Sequence, residues 1–332
     1  MTISMSIELS ICIPTYNRSK CLSECLQSIM SAVSGYERFV EILISDNAST
    51  DGTGDIIRAF QKTYPWIRYH RNAQNIGGER NFFLLATMAK GENIWIFGDD
   101  DKMNVSAVAR ILNNIRTGYG LTICNYSSWD KQFIVQRKEY CLSGNRDESF
   151  EDSNILMKRF GLHLGYISTI IIKKKLFLKL PANEYESFVE YGFPFLYSVY
   201  TGIANGACKI GFISEPLVHN RSDNSGNYDW YKYFVAGSAL IFDKLLSKGY
   251  THAAVRSAKK QVLRFFLIPH VFHIKSLKKC DNTKIDFRFF LKYYKKIWLF
   301  WIGFVPIFLM PPFLIRLTNN IRLITRRLIA QL

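Results

Sequence analysis

Asn93-Ile94-Trp95-Ile96-Phe97-Gly98-Asp99-Asp100-Asp101 is the stretch on which the reading of this chain turns. A short apolar run with β-branched and aromatic residues predicts a buried strand, and it ends at a glycine followed by three carboxylates. Working outward, the same succession of strand, polar loop and helix recurs on both sides. Leu9–Pro14 predicts a strand that leads into Thr15-Tyr16-Asn17. A helix follows, with Leu22, Cys25, Leu26, Ile29 and Val33 on one face. Phe39–Ser45 is a second strand, and Asp46–Gly52 is a loop of turn residues. Thr53 opens a helix with Ile56, Ile57 and Phe60 inward, and Ile67–Arg71 is a third strand. Phe82, Leu85, Ala86 and Ala89 line a helix that Gly91 stops before the central run begins. Beyond the carboxylates, Val105, Val108, Leu112 and Ile115 are expected inward on another helix, and Leu121–Asn125 is a fifth strand.

Strands alternating with helices at this spacing predict an α/β fold with a mostly parallel sheet covered on both faces. Ligands of such sheets sit beyond the carboxyl ends of the strands. Thr15-Tyr16-Asn17, Asp46-Asn47 and Asp99–Asp101 all follow directly on strands, so three loops distant in sequence are expected on one edge. Further along, residues 126 to 165 carry a weak pattern, read as excursions over that edge. Tyr166–Ile172 predicts a strand, Pro194 starts a helix to about Ala204, and Cys208–Ile213 is a closing strand before Glu215-Pro216-Leu217-Val218-His219-Asn220-Arg221. From Tyr228 the chain turns helical and basic. The expected organisation is residues 1 to 225 as the α/β domain and residues 226 to 332 as a helical, basic, membrane-associating extension.

Charge supports that division. The formal net charge is +16, from 43 Lys+Arg against 27 Asp+Glu. Residues 1 to 243 hold 25 basic and 25 acidic side chains; residues 244 to 332 hold 18 and 2, which is the whole excess. A basic, aromatic-rich segment seeks phosphate groups, anionic lipid ahead of nucleic acid. Residues 297 to 315 hold no charge and are long enough for a span, but Pro306, Pro311 and Pro312 each remove a helical hydrogen bond, so an interfacial or re-entrant segment is expected. Lys292, Lys295 and Lys296 precede it; Arg316, Arg322, Arg326 and Arg327 follow. The alternative is a core helix pair packed on the domain. Seven scattered cysteines, odd in number, read as reduced thiols. The first residues lack the basic and apolar regions of a signal peptide, so none is expected, and the cytoplasmic face of a membrane is the expected location.

Three adjacent carboxylates repel one another, so a cation is expected among them. Hard ions such as Mg²⁺ or Mn²⁺ take carboxylate oxygens and bridge to phosphates, which suits a site that binds a diphosphate. Capping of the next helix would need only one aspartate. The chain has neither a Gly-x-Gly-x-x-Gly turn after the first strand nor a Gly-Lys-Ser/Thr loop, which argues against dinucleotide oxidoreductases and P-loop enzymes. It also lacks a Gly-x-Ser-x-Gly elbow, which argues against serine hydrolases of that type.

Four segments in order then carry a resemblance: Ile13-Pro14-Thr15-Tyr16-Asn17-Arg18; Ile44-Ser45-Asp46-Asn47-Ala48-Ser49-Thr50-Asp51-Gly52-Thr53; Asn75-Ile76-Gly77-Gly78 with Arg80-Asn81; and Trp95–Asp101. Together they resemble family 2 glycosyltransferases of the GT-A fold, most closely the abequosyltransferase-like enzymes of O-antigen assembly. The resemblance implies transfer of a hexosyl or deoxyhexosyl group from a nucleotide-sugar donor to an acceptor hydroxyl, with inversion, on a lipid-linked saccharide of surface polysaccharide synthesis. It places Pro14, Thr15 and Tyr16 beside the nucleotide, Asp46 facing the base and Arg80 near the phosphates or ribose. Asp99 and Asp100 join them as donor contacts. Gly98 stands where the family's Asp-x-Asp begins, which leaves ribose and metal roles open among the three aspartates; Asp101, then Asp99, are the expected metal ligands, with His219 a further candidate. The family's acidic pair at the helix before the closing strand is replaced by Pro194-Phe195. Glu190, four residues earlier, is therefore the expected base, with Glu186 and Glu184 behind it. Two rival readings are a non-catalytic GT-A-like scaffold of a polysaccharide-assembly complex, and a nucleic-acid-binding protein prompted by the charge.

Overall fold

The computed structural model describes residues 6–222, 231–276 and 287–317. Ten strands form one sheet: β1 (Leu9–Thr15), β2 (Val40–Asp46), β3 (Arg68–Arg71), β4 (Asn93–Ile96), β5 (Lys102–Met103), β6 (Leu121–Trp129), β7 (Gln136–Lys138), β8 (Glu148–Phe150), β9 (Ile170–Lys173) and β10 (Ile210–Arg221). The main order is β3-β2-β1-β4-β9-β6-β10-β5, with β7 on β6 and β8 on β10. Pairing is parallel within β3-β2-β1-β4 and between β6 and β10. It is antiparallel where β9 lies between β4 and β6. The α/β class holds, and the sheet is mixed.

Alternation along the strands divides the core in two, because successive side chains of a strand point to opposite faces. Ile11, Ile13, Trp95 and Phe97 join the helix Ser19–Val33 on one face; Cys12, Ile94 and Ile96 join the helix Gly78–Met88 on the other. The predicted inner faces of the first three helices are buried or half-buried as expected. Val105 is the exception. It is 70% exposed, because the helix begins only at Ala107 and Val105 lies in the turn before it.

Other differences lie downstream. β6 runs on to Trp129, four residues beyond its apolar core, by pairing with the far half of β10, itself one long strand through register shifts at Ile213–Val218. Residues 126 to 165, weakly patterned, hold β7, β8 and the helix Ser153–Phe160, whose first turn is capped by the Asp152 carboxylate accepting from the Asn154 amide at 2.8 Å. The strand expected over Tyr166–Ile172 is half that: Ile167–Thr169 forms a 3₁₀ turn and only Ile170–Lys173 pairs. That turn brings Tyr166 and Ser168 to the aspartate cluster.

Helices after residue 231 pack onto the same core. Val235, Phe242, Val262 and Leu267 share a cluster with Leu85, Leu156 and Tyr200. Tyr250 donates its hydroxyl to the Tyr200 carbonyl at 2.8 Å, and buried Lys259 meets Asp243 at 2.6 Å. In the 287–317 segment, Phe290, Tyr294, Phe300 and Phe304 face inward. Pro306 sits just after a π-helical turn over Phe300–Phe304, the usual way a helix accommodates a lost hydrogen bond. The Lys275 ammonium donates to the carbonyls of Phe308 and Met310, where that helix ends. Among the described residues no helix is long and apolar enough to cross a membrane.

Candidate active site

The register puts Thr15 beside Asp46, and Phe97 donates its amide to the Cys12 carbonyl, so the ends of β1, β2 and β4 share one edge. The loops there are tied by side chains that complete backbone hydrogen bonds. Asn17, at positive φ, accepts from the Thr50 amide at 2.8 Å, and its own amide donates to Ser49 Oγ at 2.9 Å. Asn47 Oδ1 accepts from Asn72 and from the Ile76 amide, while its Nδ2 donates to Asn75. Asn81 closes the network by accepting from Ser45 Oγ at 2.6 Å and donating to the Ser45 carbonyl at 3.0 Å. A buried amide network this complete fixes loop geometry, since each member left unpaired would carry a desolvation cost of about 1–3 kcal/mol.

Over this edge lies a cavity of about 820 Å³. Pro14, Thr15, Tyr16, Arg18, Asn47 and Gly77–Glu79 line one side with Gly98–Asp100. Tyr126, His163, Tyr166, Phe193, Phe234 and Phe266 line the other. The Arg18 guanidinium stands 3.5 Å from the Asp100 carboxylate. Tyr16 is partly exposed at the cavity wall. Phe234 and Phe266 stack at 5.5 Å, and Phe193 meets Phe234 edge-on at 5.2 Å, so residues beyond 231 supply part of the aromatic wall.

The three aspartates have different surroundings. Asp99 and Asp100 reach the cavity. Asp101 is buried beneath it, accepting from the Tyr166 and Ser168 hydroxyls at 2.6 Å each, from Asn220 at 3.3 Å and from the Arg221 amide at 3.4 Å. Burial, followed by the charge of Asp100, pushes the Asp99 and Asp101 carboxyls up to about 7. Arg18 lowers the Asp99 carboxyl only in part, so the cluster remains short of positive charge. Gly98 belongs here for a steric reason: a Cβ on it would come within 2.9 Å of Asp101 Oδ2 and 3.1 Å of Ser168 Oγ. That crowding explains why the position opening the aspartate run carries no side chain.

The remaining expected residues are dispersed. Asp46 is fully buried below the loop, where it accepts from the Ser49 amide at 2.8 Å and the Tyr69 hydroxyl at 3.0 Å and lies 3.4 Å from Arg71. Arg80 forks onto Glu186 outside the cavity lining. Glu190 is an exposed side chain 3.2 Å from Lys232, also outside the lining. His219 points away from the aspartates: its neighbour Asn220 reaches Asp101, so alternation along β10 sends the imidazole to the other face, where Nδ1 meets Ser127 Oγ at 2.7 Å and the ring packs on Trp129. Burial lowers its pKa there. Among the described residues no three His, Cys, Asp or Glu side chains form a ready cage for a metal. What the structure does offer is a pair, Asp99 and Asp100, open to the cavity. Two carboxylates with room for other oxygens suit an ion such as Mg²⁺, which keeps waters and shares its shell with phosphate.

Motif reading passed over Arg18, Glu79, Tyr126, His163 and Tyr166. Arg18 and Glu79 stood inside or between quoted segments, but an acid in the first turn of a helix reads as a partner of the helix dipole. The three others come from segments without a motif.

The comparisons agree with this geometry. The description of glycosyl transferase family 2 matches residues 10–180. The abequosyltransferase RfbV of Salmonella typhimurium is 31% identical over 232 residues, 65% of this chain and 67% of the relative. A Campylobacter jejuni protein, GalNAc(5)-diNAcBac-PP-undecaprenol beta-1,3-glucosyltransferase, is 30% identical over 46% of this chain and 48% of its own length. Among solved structures, S. aureus TarS in complex with UDP-GlcNAc superposes with a TM-score of 0.59 at 16% identity, over 86% of this chain and 79% of that one. The mannosyltransferase PcManGT from Pyrobaculum calidifontis, in complex with GDP-Man and Mn²⁺, gives 0.53 at 15% identity, over 78% and 70%. These structural likenesses bear on the GT-A fold; the family match covers the loops that build the cavity's polar wall, and on it the chain belongs to family 2 of the glycosyltransferases.

Proposed function

We propose that the chain transfers a hexosyl or deoxyhexosyl group from a nucleoside-diphosphate sugar to a hydroxyl of a lipid-linked oligosaccharide in surface-polysaccharide synthesis, with inversion at the anomeric carbon. The observation that carries this reading is the cavity with two unlike walls, one of polar loops at the ends of β1, β2 and β4, the other of aromatic rings. Pro14, Thr15 and Tyr16 suit the base and ribose, with Asp46 holding their loop from beneath. Arg18 offers a cation for the diphosphate, and Arg80 could be recruited from Glu186 at the mouth. Asp99 and Asp100 are the residues that would hold Mg²⁺ or Mn²⁺, which would neutralise charge on the departing diphosphate. Asp101 keeps the turn that presents them. The aromatic wall suits the apolar face of a sugar ring and excludes water, so that the acceptor oxygen meets the anomeric carbon without competition.

Relatives named for an undecaprenol-linked substrate and for abequosyl transfer support the lipid-linked acceptor. The exposed rings of Trp298, Trp301 and Phe313 on the last described helices, with Lys292, Lys295 and Lys296 also exposed, support docking on the anionic cytoplasmic face of a membrane. The purified full chain should move label from one of a set of UDP-, GDP-, CDP- and dTDP-sugars onto lipid-linked oligosaccharide in the presence of Mn²⁺. No transfer from any of them, with undiminished binding to duplex DNA in 150 mM salt, would favour the nucleic-acid reading instead.

A further inference from the structure

Glu79 stands in the first turn of the helix Gly78–Met88, and its side chain forms part of the cavity wall. Its backbone is fixed, the carbonyl accepting from the Tyr185 hydroxyl at 2.9 Å. The carboxyl is unlike any other on this surface. Oε2 is shut off from bulk solvent and has no hydrogen-bond partner. The backbone amides of Phe193 and Phe195, where the helix Pro194–Ile203 begins, lie close enough to the carboxyl to lower its pKa. That helix start carries Pro194-Phe195 and so has no acid of its own. Glu79, from another helix, returns a carboxylate to the same place.

Resting on the glycosyl-transfer reading above, we propose that Glu79 is the general base of the reaction. As the acceptor oxygen bonds to the anomeric carbon, its proton passes to the Glu79 carboxyl, which turns its unpaired oxygen from the closed wall toward the cavity. The bond from that carbon to the phosphate oxygen breaks, and its electron pair leaves with the nucleoside diphosphate. Nothing else is consumed.

Other titratable groups of the cavity are less suited. Asp99 and Asp100 lie at the strand end beside Arg18 and belong with the diphosphate. His163 has its ring packed between Phe265 and Phe266, at 5.9 and 5.5 Å. Glu79, by contrast, keeps one oxygen free, and burial pushes its carboxyl up to about 7 against the lowering pull of the two amides. A carboxylate raised in this way takes a proton far more readily than an ordinary one.

The test compares wild type, Glu79→Gln and Glu79→Asp as full chains. Wild type is first screened for nucleoside-diphosphate release and transfer with the same sugar nucleotides, and UDP, GDP, CDP and dTDP binding is measured by calorimetry. Glu79→Gln should bind the preferred diphosphate within threefold of wild type while turnover falls ~10²-fold or more, and Glu79→Asp should recover part of the loss. The acidic limb of kcat/KM, with its midpoint near 7, should vanish in Glu79→Gln. A ¹³C-carboxyl titration of wild type, assigned by difference from Glu79→Gln, should show the same midpoint without reference to any donor. Turnover of Glu79→Gln above a third of wild type, or a carboxyl that titrates below pH 5.5, overturns the assignment of Glu79 alone. A wild type that turns over none of the donors overturns the glycosyl-transfer reading beneath it.

Discussion

Across the cavity, the wall built by the loops after β1, β2 and β4 is held by side chains that complete backbone hydrogen bonds, Asn17 on Thr50, Asp46 on Ser49 and Asn47 on Ile76. The facing wall is held by rings: Phe193 on Phe234, Phe234 on Phe266, Tyr126 on Tyr166. The first construction demands particular residue types, because only a short polar side chain can mimic the backbone, whether within one turn, as Asp46 does on Ser49, or between two loops, as Asn17 and Asn47 do across 33 and 29 positions. Ring packing demands volume and tolerates substitution so long as volume is kept. On the proposed function, donor recognition falls to the wall that demands residue types, and acceptor choice to the wall that demands volume.

The largest effects should come from the aspartates, and they should split by location. Asp99→Ala and Asp100→Ala remove carboxylates that face the cavity, so transfer should fall ~10³-fold while stability changes by less than ~1 kcal/mol; for Asp99, losing a disfavoured buried charge should even offset the lost packing. Asp101→Ala leaves the hydroxyls of Tyr166 and Ser168 without their acceptor and the Asn220 amide with only the Tyr166 hydroxyl, and should cost ~2–4 kcal/mol in urea unfolding along with activity. Equal instability in all three variants would erase the distinction between the pair that lines the cavity and the support beneath it. Added Mn²⁺ should raise the melting temperature of wild type and of neither Asp99→Ala nor Asp100→Ala.

Glu79 offers a smaller effect of opposite sign. Burial pushes its carboxyl up to about 7 in the folded state, against an ordinary value near 4.3 in the unfolded chain. Between those values the folded state holds the proton more tightly, so the contribution of this group to stability is complete below about pH 4 and is lost as pH rises through 7. Glu79→Gln, which cannot ionise, should match wild type near pH 4.5 and exceed it at pH 8 by on the order of 1–3 kcal/mol, read from chemical unfolding at the two pH values. Such a variant would be slower and more stable at once, as expected where a functional group is held in an unfavourable environment. A stability difference that does not depend on pH would show that Glu79 is paired in solution.

Legibility followed the same two-wall division. The strand-ending loops could be placed from sequence because Asn17-Arg18, Asp46–Gly52 and Gly98–Asp101 each couple a turn requirement to a polar cluster. Which carboxylate meets the cavity could not be read. Asp99, Asp100 and Asp101 differ only in the direction the turn gives them, and that direction is set by Tyr166, Ser168 and Asn220, all more than 60 positions away. His219 failed as a partner of the cluster for a reason of parity, since in β10 its neighbour Asn220 takes the inward place. Glu190 was reached by counting along the chain from a family position, whereas the carboxylate nearest that helix start arrives from Glu79, over a hundred residues earlier. Val105 read as inward because a periodic pattern does not mark the residue at which a helix starts.

The smallest expected effect concerns the last described helices, where inward rings and outward rings alternate. Phe290, Tyr294, Phe300 and Phe304 are buried in the core, while Trp298 and Trp301 are about half exposed and Ile302, Leu309 and Phe313 more so. The outward tryptophans contribute little to folding: Trp298 lies under the Lys260 ammonium at 4.7 Å, and Trp301 donates to the Lys295 carbonyl at 2.9 Å, contacts worth about 0.5–1 kcal/mol each at an exposed site. If that face lies at a lipid headgroup layer, the double variant Trp298→Ser, Trp301→Ser should unfold within ~1–2 kcal/mol of wild type and bind vesicles containing phosphatidylglycerol about tenfold more weakly, ~1.4 kcal/mol. Replacing Lys292, Lys295 and Lys296 by glutamine should weaken the same binding in low salt and have little effect at 0.5 M, because screening removes surface attraction between charges and leaves ring insertion intact. Vesicle sedimentation with and without phosphatidylglycerol reads both variants. Wild type that stays in the supernatant with both vesicle types, at low salt, would mean that these rings meet something other than lipid, and that acceptor choice rests on the aromatic wall of the cavity alone.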